Sequence, residues 1–394
     1  MSDTDSTADL LRDAAVDFLT GRAGRDRLRG WVGRPRPVDR ALWRESAALG
    51  WTGALLPEVL GGLGLTLAEA AVLAEEGGRH LYAEPLVAAA FLPALVLAAA
   101  AARPTGPAGS GTAALAPSLA HALAQSLTDG ERLLALAWQE SAGTLTLDAP
   151  QCTVMDGRLT GRKCFVQGAD DNATLLVWAQ AAGEAQWVAV DVQARGVCAT
   201  AEAAGLGCQW TFEFDGAPLL DTTPLLRGAA ARQALVHTLT AGRLLAAAEL
   251  VGNAAGCLAQ TLAYLRTRQQ FDRTLGSFQA VQHRCVDLHL ELALAQASLE
   301  QALAAMSSGA GAHAEPNVEA AVCAAKARAG DAAVKVGREA VQLHGAMGFC
   351  EEVDIGLFLR AALHGNAWLG GPTALRRRFA ALQAAALQAE AVCV

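Results

Sequence analysis

Arginine, glutamine and phenylalanine crowd into residues 266–284, RTRQQFDRTLGSFQAVQHR, within a region otherwise dominated by Ala and Leu. A guanidinium, an aromatic ring and carboxamides at one corner can grip a pyrophosphate and a flat ring system, because the planar guanidinium fork matches phosphate oxygens and stacks on rings. Arg266 and Arg268 close an apolar run, LLAAAELVGNAAGCLAQTLAYL, where cations also complement the helix dipole. Phe271 follows, TLGS turns the chain, and Ser277 is placed to cap a helix that opens with Gln279 and Gln282. A polar corner between bundle helices is the other reading of this stretch. A second polar departure is AVQLHGAMGFCEE at 340–352. Gln342 closes a helix there, and Gly345 and Gly348 open a loop where backbone can approach a ligand. A glycine helix stop accounts for Gly345 alone.

Other chemistries have less support. GGLGLTL lacks the third glycine of a dinucleotide-binding turn and lies between helices, and no phosphate-binding P-loop or G-x-S-x-G occurs. None of the nine cysteines forms a CxxC pair, so a zinc site is not expected and reduced thiols are. His283 and His289 are six apart, the wrong spacing for two ligands on one helix face. The net charge of -8 argues against nucleic acid as a partner.

The elements that must position these corners divide into three. A chain of 394 residues, 53% hydrophobic and rich in Ala and Leu, exceeds one ordinary core and favours helices. Residues 1–130 read as a helical domain, with helical patterns in ADLLRDAAVDFL, RALWRESAALG and TLAEAAVLAEEGGRHL, and a loop at 103–112. Residues 131–229 alternate apolar and polar positions and turn at Asp-Gly and Ala-Gly-Glu, the pattern of a β domain. Residues 230–394 return to long helical runs at 230–268, 279–307, 317–344 and 373–391. The apolar stretch 86–102 is interrupted by proline and just short for a membrane span. The acidic start lacks the basic flank of a leader. No membrane association is expected, and a cytoplasmic location is.

The chain resembles the acyl-CoA dehydrogenase family over nearly its whole length. LGWTGALLPEVLGGLGLTLAEAAVLAEEGGRHL is similar to the family's N-terminal helices and PE-x-x-GG-x-G turn. LTGRKCFVQGADDNATLLVWA resembles its middle-domain strands, RQQFDRTLGSFQAVQHR its R-x-QFG signature, and QLHGAMGF its Q-x-x-GG-x-G signature. The resemblance implies a mainly α fold: an N-terminal helical domain, a middle β-barrel or sandwich domain and a C-terminal four-helix bundle. It also implies FAD, with Arg268 on the pyrophosphate, Phe271 packed nearby and Gln279 or Gln282 in support. Gln342, Gly345 and the Gly348 loop would approach the FAD of a neighbouring subunit. Acyl-CoA is the implied substrate, and electron-transferring flavoprotein the implied electron acceptor. Asp272 stands where the family has Gly, Ala346 where it has the second Gly, Phe165 where many members have Trp, and WQES where many have L-T-E-P.

Family catalysis uses a glutamate to take the substrate's α-proton, placed either near the C-terminus or on the first long C-terminal helix. The matching positions here are Leu369 or Gly370, and Gly242. Neither carries a carboxylate, so the catalytic residue is left unassigned. Glu249 is nearest, about 10 Å further along the same helix face, as a base or a satisfied core glutamate. Three readings follow: the base-lacking subunit of an α2β2 complex with a homologous subunit, similar to steroid side-chain enzymes; a self-sufficient, self-associating dehydrogenase with an unusual base; or a silent scaffold.

Overall fold

The computed structural model describes residues 3–22, 25–102, 115–143, 149–308 and 316–392. The loop expected at 103–112 lies outside them, as do 144–148 of the first expected strand region and 309–315 between two helical runs. Among the described residues six α-helices come first: α1 (Asp3–Arg22), α2 (Asp26–Arg29), α3 (Arg40–Ala48), α4 (Leu67–His80), α5 (Leu92–Ala101) and α6 (Leu115–Thr128). Eight strands follow among the described residues: β1 (Leu134–Ala137), β2 (Thr153–Met155), β3 (Arg158–Val166), β4 (Thr174–Ala181), β5 (Glu184–Asp191), β6 (Val197–Ala204), β7 (Gly207–Pro218) and β8 (Leu226–Arg227). Then come α7 (Gly228–Thr267), the short strands β9 (Gln269–Gln270) and β10 (Arg273–Thr274), α8 (Gln279–Ser308), α9 (Pro316–His344), α10 (Ile355–Ala367) and α11 (Pro372–Val392). Helices, a central sheet and helices again follow in the expected order.

Contacts gather the chain into two compact units: Met1–Val32, Leu67–Ala83 and Arg243–Val394 form one, and Gly33–Thr66 and Glu84–Gly242 the other. The second holds the sheet, ordered β6-β7-β3-β2-β4-β5-β8, with β1 parallel to β4. Its hairpins close where the sequence supplies left-handed residues. Asp156 (φ 50°) and Gly157 (φ 71°) join β2 to β3, and Ala182 (φ 50°) and Gly183 (φ 82°) join β4 to β5. Two positive φ angles in a row match the twist of the flanking strands. One expectation needs correction. β4 and β5 are not half-buried alternating strands: six consecutive residues of each are buried. Their polar positions are filled by Thr174 and Gln186, 1% and 5% exposed. Trp178 and Trp187 pair across these strands with ring centroids 5.5 Å apart.

The first unit is helical, and glycine decides how closely its helices approach. A Cβ on Gly252 would lie 1.8 Å from the Glu75 carbonyl oxygen, and one on Gly78 1.9 Å from that of Glu249. At Gly256 it would lie 2.3 Å from the Arg79 carbonyl oxygen. So α4 crosses α7 with backbones in contact. In the C-terminal bundle α9 packs against α8, α10 and α11. Its buried alanines, among them Ala325, Ala329, Ala332 and Ala333, permit that three-sided packing. The helix α10 is an addition to the runs expected from sequence. The helix α7 is long and apolar enough to cross a membrane, but its most apolar window is 83% buried within the fold, as a core helix is. The stretch considered for a span instead forms a shorter, buried apolar helix, Val87–Ala101.

Candidate functional site

The two polar anomalies of the sequence meet through a stacked pair. The Tyr264 ring lies on the His344 ring with centroids 4.2 Å apart, and the Tyr264 hydroxyl is 3.5 Å from the His344 carbonyl oxygen. Tyr264 stands one turn before Arg268, and His344 directly before Gly345, so the end of α7 is held at the end of α9. His344 is buried, which lowers its pKa, and its Nδ1 lies 2.8 Å from the Ala340 carbonyl. Neither residue stands out as functional from sequence. A tyrosine in an otherwise apolar helix, one of two in the chain, was the available signal.

Beyond α7 the chain folds into the β9–β10 hairpin, where Phe271 (φ 55°) and Asp272 (φ 62°) make the turn. A left-handed, bulky residue costs on the order of 1–3 kcal/mol. The turn drives the Phe271 ring outward, 84% exposed and edge-on to Phe278 at 6.2 Å. Arg273 stacks over Phe278 at 3.8 Å. Ser277 does not cap α8. Its hydroxyl donates to the Thr274 carbonyl at 2.7 Å, and extended Phe278 occupies the capping position, its carbonyl accepting from the amides of Val281 and Gln282.

Arg268, Phe271, Gln279, Gln282, Gln342 and Gly345 are all exposed at this end of the bundle. Arg266, Arg268, Gln279 and Gln342 make no side-chain hydrogen bond among the described residues. Gln282 is partly engaged, its Nε2 donating to the Gly276 carbonyl at 2.9 Å. Gly345 has a left-handed φ of 62° and open space at its Cβ position. Gly348 is buried, and a Cβ there would lie 2.4 Å from the Val341 carbonyl oxygen, so packing alone requires it. Free guanidinium and carboxamide donors beside an exposed ring fit a pyrophosphate-bearing, planar group.

A second cluster gathers around Arg243 and Leu369. Arg243, 5% exposed, donates from Nε to the Leu369 carbonyl at 3.1 Å. Leu369 is itself left-handed (φ 58°) and buried. The carboxylate facing Arg243 is Glu319 at 3.7 Å, clamped by both nitrogens of Arg378 at 2.9 Å. Glu319 was missed by sequence reading because it opens α9, far along the chain. Glu249 is half-buried with no hydrogen bond among the described residues, and burial pushes its carboxyl up to about 7 against the pull of Lys326. Lys326 is fully buried and pushed down to about 7 by burial, opposed by Glu249. Its Nζ donates to the Gly365 carbonyl at 2.6 Å, fastening the end of α10. Nearby His364 is driven down to about 4 by burial and by Lys326.

In the sheet unit, Lys163 is completely buried, its Nζ 2.6 Å from Glu140 Oε1 and 3.3 Å from the Trp138 carbonyl. Glu140 also accepts the amides of Gln151 and Cys152. Burial would raise the Glu140 carboxyl, but the Lys163 and amide hydrogen bonds outweigh it and hold it low. This pair ties the WQES loop to β3, where Phe165 (φ 56°) holds its ring 38% exposed beside a bulge.

Residues 5–101 match the N-terminal domain of acyl-CoA dehydrogenases and residues 232–384 their C-terminal domain. The acyl-CoA dehydrogenase IpdE2 of Mycobacterium tuberculosis is 29% identical over 368 residues, covering 91% of this chain and 92% of that protein. A variant of the Tcur3481-Tcur3483 steroid ACAD superposes with a TM-score of 0.81 at 30% identity, over 98% of this chain and 99% of that one. The ChsE4-ChsE5 complex from Mycobacterium tuberculosis gives 0.80 at 28% identity, over 96% and 97%.

Proposed function

The chain belongs to the acyl-CoA dehydrogenase family, and on that premise we propose that it is the base-lacking subunit of a heteromeric, FAD-dependent member. In this reading it completes a flavin site while a homologous subunit supplies the catalytic glutamate. The observation that carries it is the absence of a carboxylate at both family positions: Gly242 on α7, and Leu369 and Gly370 after α10. The carboxylate nearest Arg243, Glu319, is held by two arginines. Similarity to the two-protein steroid ACAD and to the ChsE4-ChsE5 complex supports the partnered arrangement and a steroid-derived or other lipid acyl-CoA.

The assigned cofactor residues are Arg268, Phe271, Gln279, Gln282, Gln342, Gly345 and Gly348, with the free donors at the ends of α7 and α9 as their support. When bound, the flavin would supply a hydride acceptor for the β-hydrogen of the acyl group, with electron-transferring flavoprotein as the proposed electron acceptor. The α-proton passes to the partner's glutamate. This chain's task is to hold the dinucleotide. The division at 130/131 and 229/230 into helical, β and bundle domains is retained with this reading.

Flavin reduction by acyl-CoA, measured on this chain alone and with a co-expressed homologous partner, tests the proposal. A positioned base accelerates proton removal by about 10²–10⁴-fold. The isolated chain should therefore turn over slower by that order, with activity appearing only with the partner and vanishing when the partner's glutamate becomes glutamine. One observation favours a second reading: the Glu249 carboxyl, pushed up to about 7 and free of hydrogen bonds among the described residues, has the basicity of a general base. Robust turnover by the isolated chain, abolished by Glu249→Gln, would establish that reading and overturn the first.

A further inference from the structure

On α9 and α10, Asp331, Val334, Lys335, Arg338, Glu339 and Asn366 line a cleft of about 380 Å³. Its charges are paired, with one exception. Asp331 pairs with Arg376, Glu339 with Arg284, and Lys335 with Glu291 at 2.8 Å, which Arg328 also contacts at 2.9 Å. Arg338 is exposed and has no hydrogen-bond or ion-pair partner among the described residues. Of the charged residues lining the cleft, Asp331, Lys335 and Glu339 are spent on these pairs, so its unspent positive charge sits on Arg338.

The position of Arg338 gives that charge a direction. Residues 331, 335, 338 and 342 recur at helical spacing, so the cleft-lining face of α9 continues into Gln342 and ends at the Gly345 turn. Arg338 precedes Gln342 by one turn, about 6 Å along the axis. Gln342 is likewise exposed and without a side-chain partner among the described residues. An unpaired guanidinium, then an unpaired carboxamide, then an open glycine turn form one row leading out of the cleft.

We propose that Arg338 is an anion-binding residue that takes a phosphate oxygen of the adenosine half of the dinucleotide held at Gln342 and Gly345. The inference rests on the flavin reading above and extends its site by one turn of α9. Phosphate esters of two sources share this chemistry, the pyrophosphate of FAD and the 3′-phosphate of CoA. Continuity with Gln342 selects the former.

The test compares the full chain, with its homologous partner where FAD uptake requires one, with Arg338→Gln and Arg338→Lys. Loss of one charge-assisted hydrogen bond to phosphate weakens binding by roughly 10- to 150-fold. Arg338→Gln should therefore bind FAD at least about tenfold more weakly, with Arg338→Lys in between, while riboflavin affinity and the far-ultraviolet circular dichroism stay unchanged. Unchanged FAD affinity in Arg338→Gln overturns the inference and leaves the flavin reading intact. Weakened binding of CoA but not of dephospho-CoA or FAD assigns the anion to CoA and overturns the dinucleotide assignment. A wild-type protein that takes up no FAD in either form overturns the flavin reading and this inference together.

Discussion

The candidate cofactor-binding groups stand out by their lack of side-chain partners among the described residues. Arg268 ends an apolar helix with its guanidinium in solvent, and nothing among the described side chains uses it. Arg268→Ala should lower FAD affinity by roughly 10- to 150-fold without changing helical content, measured as flavin retained through gel filtration and by titration. Arg266→Ala should have the smaller effect. Equal flavin content in wild type and Arg268→Ala would show that this corner holds something else. Arg268 and Gln342 were legible in the sequence because donors interrupt runs of Ala and Leu. What joins them was not: Tyr264 and His344 lie 80 residues apart, and a stacking contact leaves no local pattern. Ser277 departs from expectation for a related reason. Its hydroxyl bonds the Thr274 carbonyl, and the Phe278 backbone carbonyl accepts the first free amides of α8.

Among the elements, α9 carries chemistry at odds with its place. It carries a fully buried lysine whose hydrogen-bonding partners are the carbonyls that end α10. In the unfolded chain Lys326 keeps its proton up to its ordinary 10.5, whereas in the fold it releases it near 7. Between those values the unfolded chain binds more protons, so the folded state gains stability as pH rises from about 7 to 10. Glu249 acts in the other direction. Raised from 4.5 to about 7, it makes stability fall over that lower interval. Lys326→Met should remove the upper limb. Thermal unfolding should show the wild type gaining on the variant through that range, and a constant difference would contradict the assignment. The long helices were readable from length and apolarity. By contrast, α10 has glycines at 356 and 365 and spans only thirteen residues, too little periodic pattern to separate it from a loop. The central strands β4 and β5 departed from alternation because burial on both faces removes the polar half of the pattern.

At the scale of the whole molecule, one exposed stripe stands out. Val286, Leu290 and Leu294 recur every fourth residue on α8, each more than half exposed. An exposed apolar row of this length on a bundle helix is the kind of surface that assembly covers, and it is where the proposed partnered arrangement would bury area. Sedimentation at micromolar concentration should show an assembly larger than a monomer, alone or with the homologous partner. Leu290→Glu should weaken it by about tenfold or more, since burying one leucine contributes about 1.5–3 kcal/mol. A stable wild-type monomer in both conditions would remove the shared site.

The crossing of α4 over α7 has a consequence for how such a chain can vary. At Gly78, Gly252 and Gly256 the two helices meet through peptide groups, with no side chain between them. Peptide groups are the same in every sequence, so this spacing is indifferent to what the neighbouring positions become. The three glycines are closed to change. A protein framed in this way can exchange the residues lining its working surfaces, or go without a catalytic carboxylate of its own, and still present the same scaffold to a partner.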